Sequence, residues 1–192
     1  MKKLQSEGPQ QLVLLLAFIC SFALSAWVRL SEFRKWDRPE LKVGGDYILA
    51  TPDAYAWVAG ASGSNESNAG SPMATFLRWT APLFRSSPAN VAFWAPAFMA
   101  SLVTIPLVLW SGLLSAPGSA VLIATVGSLV PAFYARTRLG FFDTDWATLF
   151  FPLMIAFFLG SWLRPQLGPW CQGSSDPSHQ MILFSCQAPR YY

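Results

Sequence analysis

Residues Leu12–Leu30 read LVLLLAFICSFALSAWVRL, an apolar run with no charged side chain before Arg29. At about 1.5 Å per residue the run covers roughly 28 Å as a helix, close to the roughly 30 Å hydrocarbon thickness of a bilayer. Lys2 and Lys3 sit in the polar head, residues 1–11, that precedes it. A basic head before an apolar run also describes a secretory signal. The length of the run, and the bulky Trp27-Val28-Arg29 where a small-residue cleavage site would stand, favour an uncleaved spanning helix.

Composition agrees with a membrane reading. Hydrophobic residues make up 53% of the 192 and charged residues 12%, which is far from the balance of a water-soluble domain. The apolar residues are gathered into runs rather than spread in amphipathic stripes, as expected of a polytopic membrane protein. A net charge of +3 without a basic cluster gives no nucleic-acid partner.

Outward from the first run, residues 31–88 are polar and punctuated by Gly44-Gly45, Pro52, Gly60, Gly63, Gly70 and Pro72. This reads as a long external loop holding short helices, with a flexible tip over the Gly-, Ser- and Asn-rich Ala61–Ser71. Asn65-Glu66-Ser67 inside it matches a glycosylation acceptor triplet, a short pattern common by chance. A second apolar run spans Ala89–Gly112, in which Pro96 and Pro106 are expected to kink the helix. Trp94 and Trp110, roughly 24 Å apart along a helix, are spaced as interfacial aromatics.

The turn Ser115-Ala116-Pro117-Gly118 leads to a third run ending near Ala135, whose small residues Gly118, Ala120, Ala124, Gly127 and Ser128 suit close helix packing in lipid. A fourth run, Trp146–Leu163, repeats the Trp spacing with Trp146 and Trp162. The fold class is therefore all-α and polytopic, with about four transmembrane helices. Parity then places the first and third loops on the same side. Their absolute orientation is left open by charge, because Lys2 and Lys3 oppose Arg34, Lys35, Arg38 and Lys42 under the positive-inside rule.

Chemistry concentrates where the third run ends. Tyr134–Trp146 reads YARTRLGFFDTDW, with Arg136, Arg138, Asp143 and Asp145 at the edge of the membrane, in the loop 136–145. In an extended segment, Asp143 and Asp145 share a face and can turn toward one divalent cation. Carboxylate oxygens suit Mg²⁺ or Mn²⁺ rather than zinc. The plainer alternative is a solvated polar turn, salt-bridged to Arg136 and Arg138. Asp53 lies in the first loop, on the same side by parity, and three acidic groups gathered at a membrane surface call for a cation or an arginine.

The string Tyr-x-Arg-Thr-x-x-Gly-Phe-Phe-Asp-Thr-Asp, Tyr134–Asp145, closely resembles the second acidic motif of the catalytic subunit of oligosaccharyltransferase, particularly the bacterial single-subunit enzymes. ATPDAYAW, Ala50–Trp57, looks like the first acidic motif of that family. The motifs occur in family order, and the resemblance covers roughly Leu12–Leu163. It implies the N-terminal part of a GT-C glycosyltransferase. Such an enzyme transfers glycan from a polyprenyl-pyrophosphate-linked oligosaccharide donor to the asparagine amide of Asn-x-Ser/Thr in an acceptor polypeptide. It further implies Asp53 and Asp143 as ligands of Mn²⁺ or Mg²⁺, Asp145 as ligand or support, and Arg136 as the partner that orients an acidic group. The catalytic loops would face the periplasm or another extracytoplasmic space, with the head 1–11 in the cytoplasm.

Residues 164–192, RPQLGPWCQGSSDPSHQMILFSCQAPRYY, carry no spanning run and a composition expected of a disordered, aberrant or frameshifted end. Cys171 and Cys186 could pair in an oxidising compartment, and His179 reads as a solvated residue. The family's later carboxylate and its tryptophan-rich acceptor-binding domain are not among these residues, so the chain is expected to be inactive alone. Two other readings stay open: another polyprenyl-phosphate-dependent glycosyltransferase, and a non-catalytic scaffold or transporter fragment.

Overall fold

A computed structural model describes residues 7–164, and the last 28 residues and the first six lie outside it. The readings made for the tail, including Cys171, His179 and Cys186, therefore lie outside the described residues. Within them the chain is mostly helical, and three stretches are long and apolar enough to cross a membrane: Pro9–Trp36, Pro88–Leu113 and Asp145–Leu163. A shorter apolar helix covers Pro117–Ser128.

The expected second run is two helices. α6 (Pro88–Ser101) gives way to α7 (Thr104–Leu113) at Leu102–Val103. The break lies four residues ahead of Pro106, whose ring crowds the carbonyl of Leu102 and whose nitrogen donates nothing. The backbone tightens there, with Leu102 donating to Met99 O (3.2 Å) and Val103 to Ala100 O (3.2 Å). Pro96 lies inside α6 without ending it. The break in the third run is sharper: Pro131 opens α9 (Pro131–Arg136), and Val130 before it leaves the helical region at ψ 129°, so α8 (Ala120–Ser128) stops short, whereas Leu102 and Val103 keep helical angles. That division is why three stretches rather than four reach full spanning length.

The runs nevertheless alternate in direction. α1 (Glu7–Leu30) lies against α6 and α7 head to tail: Ser101 Oγ donates to Ser25 Oγ (3.1 Å), while Leu14 fills the space a Cβ on Gly112 would occupy. Alongside α8 it runs parallel, with Ser21 Oγ donating to Val121 O (3.3 Å) near one end and Arg29 reaching Ser128 O (2.9 Å) at the other. Ala120, Ala124 and Ser128, each one turn apart, are fully buried and form the small face that permits this approach. α10 (Asp145–Leu163) descends beside α7, where Trp110 Nε1 donates to Leu153 O (3.1 Å) and Arg164 reaches Ser115 Oγ (3.3 Å). Leu30, Pro88, Arg136 and Asp145 thus stand at one end of the bundle.

That end carries a cap built from the first loop. After the short α2 (Phe33–Trp36), strands β1 (Lys42–Val43) and β2 (Asp46–Tyr47) pair antiparallel around Gly44 and Gly45, whose φ values of 61° and 94° are open to glycine. Helices α3 (Pro52–Ala61), α4 (Glu66–Ala69) and α5 (Pro72–Leu83) follow. Thr51 and Ser71 cap α3 and α5 by accepting from Ala54 N (3.2 Å) and Ala74 N (3.1 Å), each with proline at the first helical position. Leu49, Ala54, Met73, Leu77, Ala81 and Phe93 form the core by which the cap sits on α6.

Gly60 is where α3 and α4 come closest. A Cβ there would lie 2.7 Å from the backbone oxygen of Asn68, which cannot swing away, whereas one on Gly70 meets nothing within 4 Å. Gly60→Ala is expected to cost about 1–3 kcal/mol and Gly70→Ala to be neutral, read from thermal unfolding in detergent.

Candidate functional site

The segment after α9 is fixed by what its residues bury. Leu139 and Phe142 are essentially inaccessible and insert into the cap core, Phe142 stacking on Phe76 with centroids 6.1 Å apart. Between them Gly140 takes φ 78°, donates to Phe93 O (3.0 Å) and accepts from Ala50 N (3.0 Å). A side chain at 140 would meet Ala50 N and Trp36 at 3.4 Å, ordinary contact, but would be strained at that φ. The bond from Ala50 brings the segment bearing Asp143 to the residue that opens the Ala50–Trp57 segment, and the bond to Phe93 fastens it to α6.

Arg29 holds the segment from below. Its side chain is fully buried, and its guanidinium donates to Ser25 Oγ (2.7 Å), Ser25 O (3.2 Å), Ser128 O (2.9 Å), Thr137 O (3.2 Å) and Thr137 Oγ1 (3.0 Å). The rings of Phe133 and Tyr134 lie 5.7 and 5.5 Å from its Cζ. One side chain therefore joins the end of α1, the end of α8 and the start of the motif loop. Thr137 Oγ1 also donates to Phe133 O (2.8 Å), so the Thr of the motif closes α9. Sequence reading passed over Arg29 as the end of a span. The available signal was the cost of an arginine within an apolar run, which demands partners.

The carboxylates take separate partners. Asp145 is the first residue of α10 and not part of an extended strand, so it and Asp143 do not share a face as residues two apart in a strand would. Arg136 Nε donates to Asp145 Oδ2 (2.7 Å), and that carboxylate, with Asp143 behind it, raises the Arg136 pKa above its ordinary range. Asp143 Oδ1 accepts from the backbone N–H of Thr144 (2.6 Å). Both acids lie at the positive end of α10. Arg138 does not pair with them: its Nε donates to Ala135 O (3.2 Å) and its guanidinium lies 4.9 Å over the Phe141 ring.

Asp53 occupies the first turn of α3, exposed, while its neighbour Ala54 is fully buried in the cap core. Tyr55 accepts at its hydroxyl from Leu49 N (2.9 Å). The indole N–H groups of Trp57 and Trp146, one beside each motif, are buried without a partner among the described residues.

The donor chemistry fits a hard divalent ion, since Asp53 and Asp143 are oxygen donors that form no ion pair among the described residues. Asp145 is already engaged by Arg136. No three His, Cys, Asp or Glu side chains among the described residues stand together as a metal-binding group.

The family model described as oligosaccharyl transferase STT3, N-terminal, matches residues 71–188, continuing beyond Leu163 where the motif reading stopped. An undecaprenyl-diphosphooligosaccharide–protein glycotransferase of Campylobacter jejuni is 26% identical over 173 residues, which is 83% of this chain and 23% of that protein. The protein of the same description from a second Campylobacter jejuni strain is 27% identical over 149 residues, 73% of this chain and 20% of its own. The chain thus spans about a quarter or less of the length of these curated relatives.

Two outcomes are expected. Arg29→Met leaves Ser128 O and both Thr137 oxygens without their donor and should lower stability by about 3 kcal/mol in detergent unfolding. Arg29→Lys should recover little of that loss, because an ammonium cannot reproduce the fork.

Proposed function

The chain belongs to the oligosaccharyl transferase STT3 N-terminal family, and on that premise we propose that it contributes the N-terminal membrane part of a protein N-glycosylation enzyme. The donor is an oligosaccharide linked to a polyprenyl pyrophosphate, and the acceptor is the asparagine amide of an Asn-x-Ser/Thr sequence. Its acidic loops face the periplasm or another extracytoplasmic space, where unfolded polypeptide arrives. The observation that carries this reading is the backbone bond from Ala50 N to Gly140 O (3.0 Å), which ties the two acidic segments together at one end of the bundle.

Within this site Asp53 and Asp143 are the carboxylates that would hold Mn²⁺ or Mg²⁺. Such an ion supplies charge stabilisation for a pyrophosphate leaving group. Arg136 positions Asp145, keeping that carboxylate turned toward α9 and leaving Asp143 for the ion. Asp53, on the exposed first turn of α3, is free to approach an amide nitrogen. The chain spans a quarter or less of the length of its curated relatives, and we propose that it does not turn over alone.

The test has two parts. Mn²⁺ binding to the purified chain, followed by electron paramagnetic resonance, should weaken by about tenfold or more in Asp53→Asn and in Asp143→Asn, and much less in Asp145→Asn. Equal binding by all variants sinks the metal assignment. Incubated with lipid-linked oligosaccharide and an Asn-x-Thr peptide, the 192-residue chain should give no glycopeptide. Product formation would refute the claim that it is inactive alone.

A further inference from the structure

Two cavities flank the turn that joins α5 to α6, and Ser86 lines both. One, of about 440 Å³, is walled by Phe76 and Phe84 from the α5 side and by Trp94, Phe98 and Met99 from α6. Its volume lies within the range of ligand pockets, and its lining is almost wholly apolar. The other, of about 330 Å³, is open and contains Arg78 and Arg85. Consecutive residues thus serve opposite environments, with Phe84 on the apolar side and Arg85 on the cationic one. Arg85 turns the chain between them at φ 49°, a conformation uncommon for a residue with a side chain.

The surroundings are those of a membrane interface. Trp79, Leu83 and Phe84 on the outer face of α5 are 76%, 75% and 68% exposed, while Met73, Ala74, Leu77 and Ala81 bury the opposite face in the cap. A helix divided in this way lies along the headgroup boundary with its apolar side toward acyl chains. Phe98, further down α6 and within a spanning stretch, continues the apolar cavity toward the hydrocarbon.

The charge is complementary to an anion. Arg78 donates to Gly60 O (3.2 Å) and Ala69 O (2.9 Å) from one guanidinium nitrogen, and neither it nor Arg85 forms an ion pair with a carboxylate among the described residues. α6 begins at Pro88, which lines the same cavity, so its positive end adds to the field there. Arginine forks match phosphate geometry.

We propose that this turn binds one anionic phospholipid from the leaflet at the cap end, its phosphate between Arg78 and Arg85 and one acyl chain in the cavity of Phe84, Trp94 and Phe98. The site adjoins the second acidic segment only through Phe76, on which Phe142 stacks, and does not depend on the enzymatic reading above. Its function is to fix the height and tilt of the cap against the bilayer.

Native mass spectrometry of the chain, purified in mild detergent and mixed with equal amounts of phosphatidylglycerol and phosphatidylcholine, tests it. Phosphatidylglycerol should be retained by about tenfold over the zwitterionic lipid. Arg85→Gln, which leaves the bonds of Arg78 to the cap intact, should remove most of that preference. Phe98→Ser should lower retention of both lipids, with circular dichroism reporting that each variant is folded. Equal retention of the two lipids by the wild-type chain, or an unchanged preference in Arg85→Gln, overturns the proposal. Displacement of the lipid by millimolar inorganic phosphate overturns the acyl-chain part, and a cavity filled instead by a protein segment would show as no lipid retained by any form.

Discussion

A buried arginine with five hydrogen bonds and no carboxylate among them is the constraint on which the site end of the bundle depends. Arg29 is satisfied by the Ser25 and Thr137 hydroxyls, by Ser25 O within its own helix, and by Ser128 O and Thr137 O, carbonyls at helix ends that need donors. The acceptors outside α1, Ser128 O and the two Thr137 oxygens, exist only where α8 stops and α9 stops. The proline at 131 that breaks the third apolar run is therefore tied to the arginine at the end of the first, because the break presents Ser128 O to the guanidinium. A continuous helix through 128–136 would keep that carbonyl for itself.

The residues that make the second acidic motif recognisable have architectural tasks beside their acids. Thr137 receives Arg29, Leu139 and Phe142 fill the cap, Gly140 permits two backbone bonds at once, and Arg136 occupies Asp145. Asp143 is left without an ion pair among the described residues, accepting locally from Thr144 N (2.6 Å) and Thr144 Oγ1 (3.4 Å). The same logic holds in the first motif, where Thr51 caps, Pro52 starts α3, Ala54 packs and Tyr55 bonds Leu49, leaving Asp53 exposed.

The membrane class and the loop-and-run order were legible because apolar runs have a length set by the bilayer. The motif residues were legible as a resemblance. What the sequence hid was local. Pro96 and Pro106 were both expected to kink the second run, and proline does not announce its outcome: Pro96 lies inside α6, Pro106 follows a tightened turn at Leu102–Val103, and Pro131 comes after a residue that has left the helix. The expectation that Asp143 and Asp145 share a face rested on extended backbone, and α10 begins one residue too early for it. Arg29 was readable only as an expensive charge, because its partners lie far away in the chain. The lipid-facing cavities at the α5–α6 turn had no signature at all, being a shape made by two helices.

The bond from Arg29 to Thr137 spans 108 positions. At roughly 5–20 residues per second of synthesis, α1 waits on the order of 5–20 s, and the cap about half as long, before the segment that completes them emerges. Throughout that interval Arg29 stands at the membrane edge without its acceptors from Ser128 and Thr137, and the cap lacks Leu139 and Phe142. The nascent chain thus passes through a stage in which its first span is only loosely seated. The order in which the helices leave the insertion machinery, and any chaperone that shields the cap meanwhile, becomes part of how this site is made.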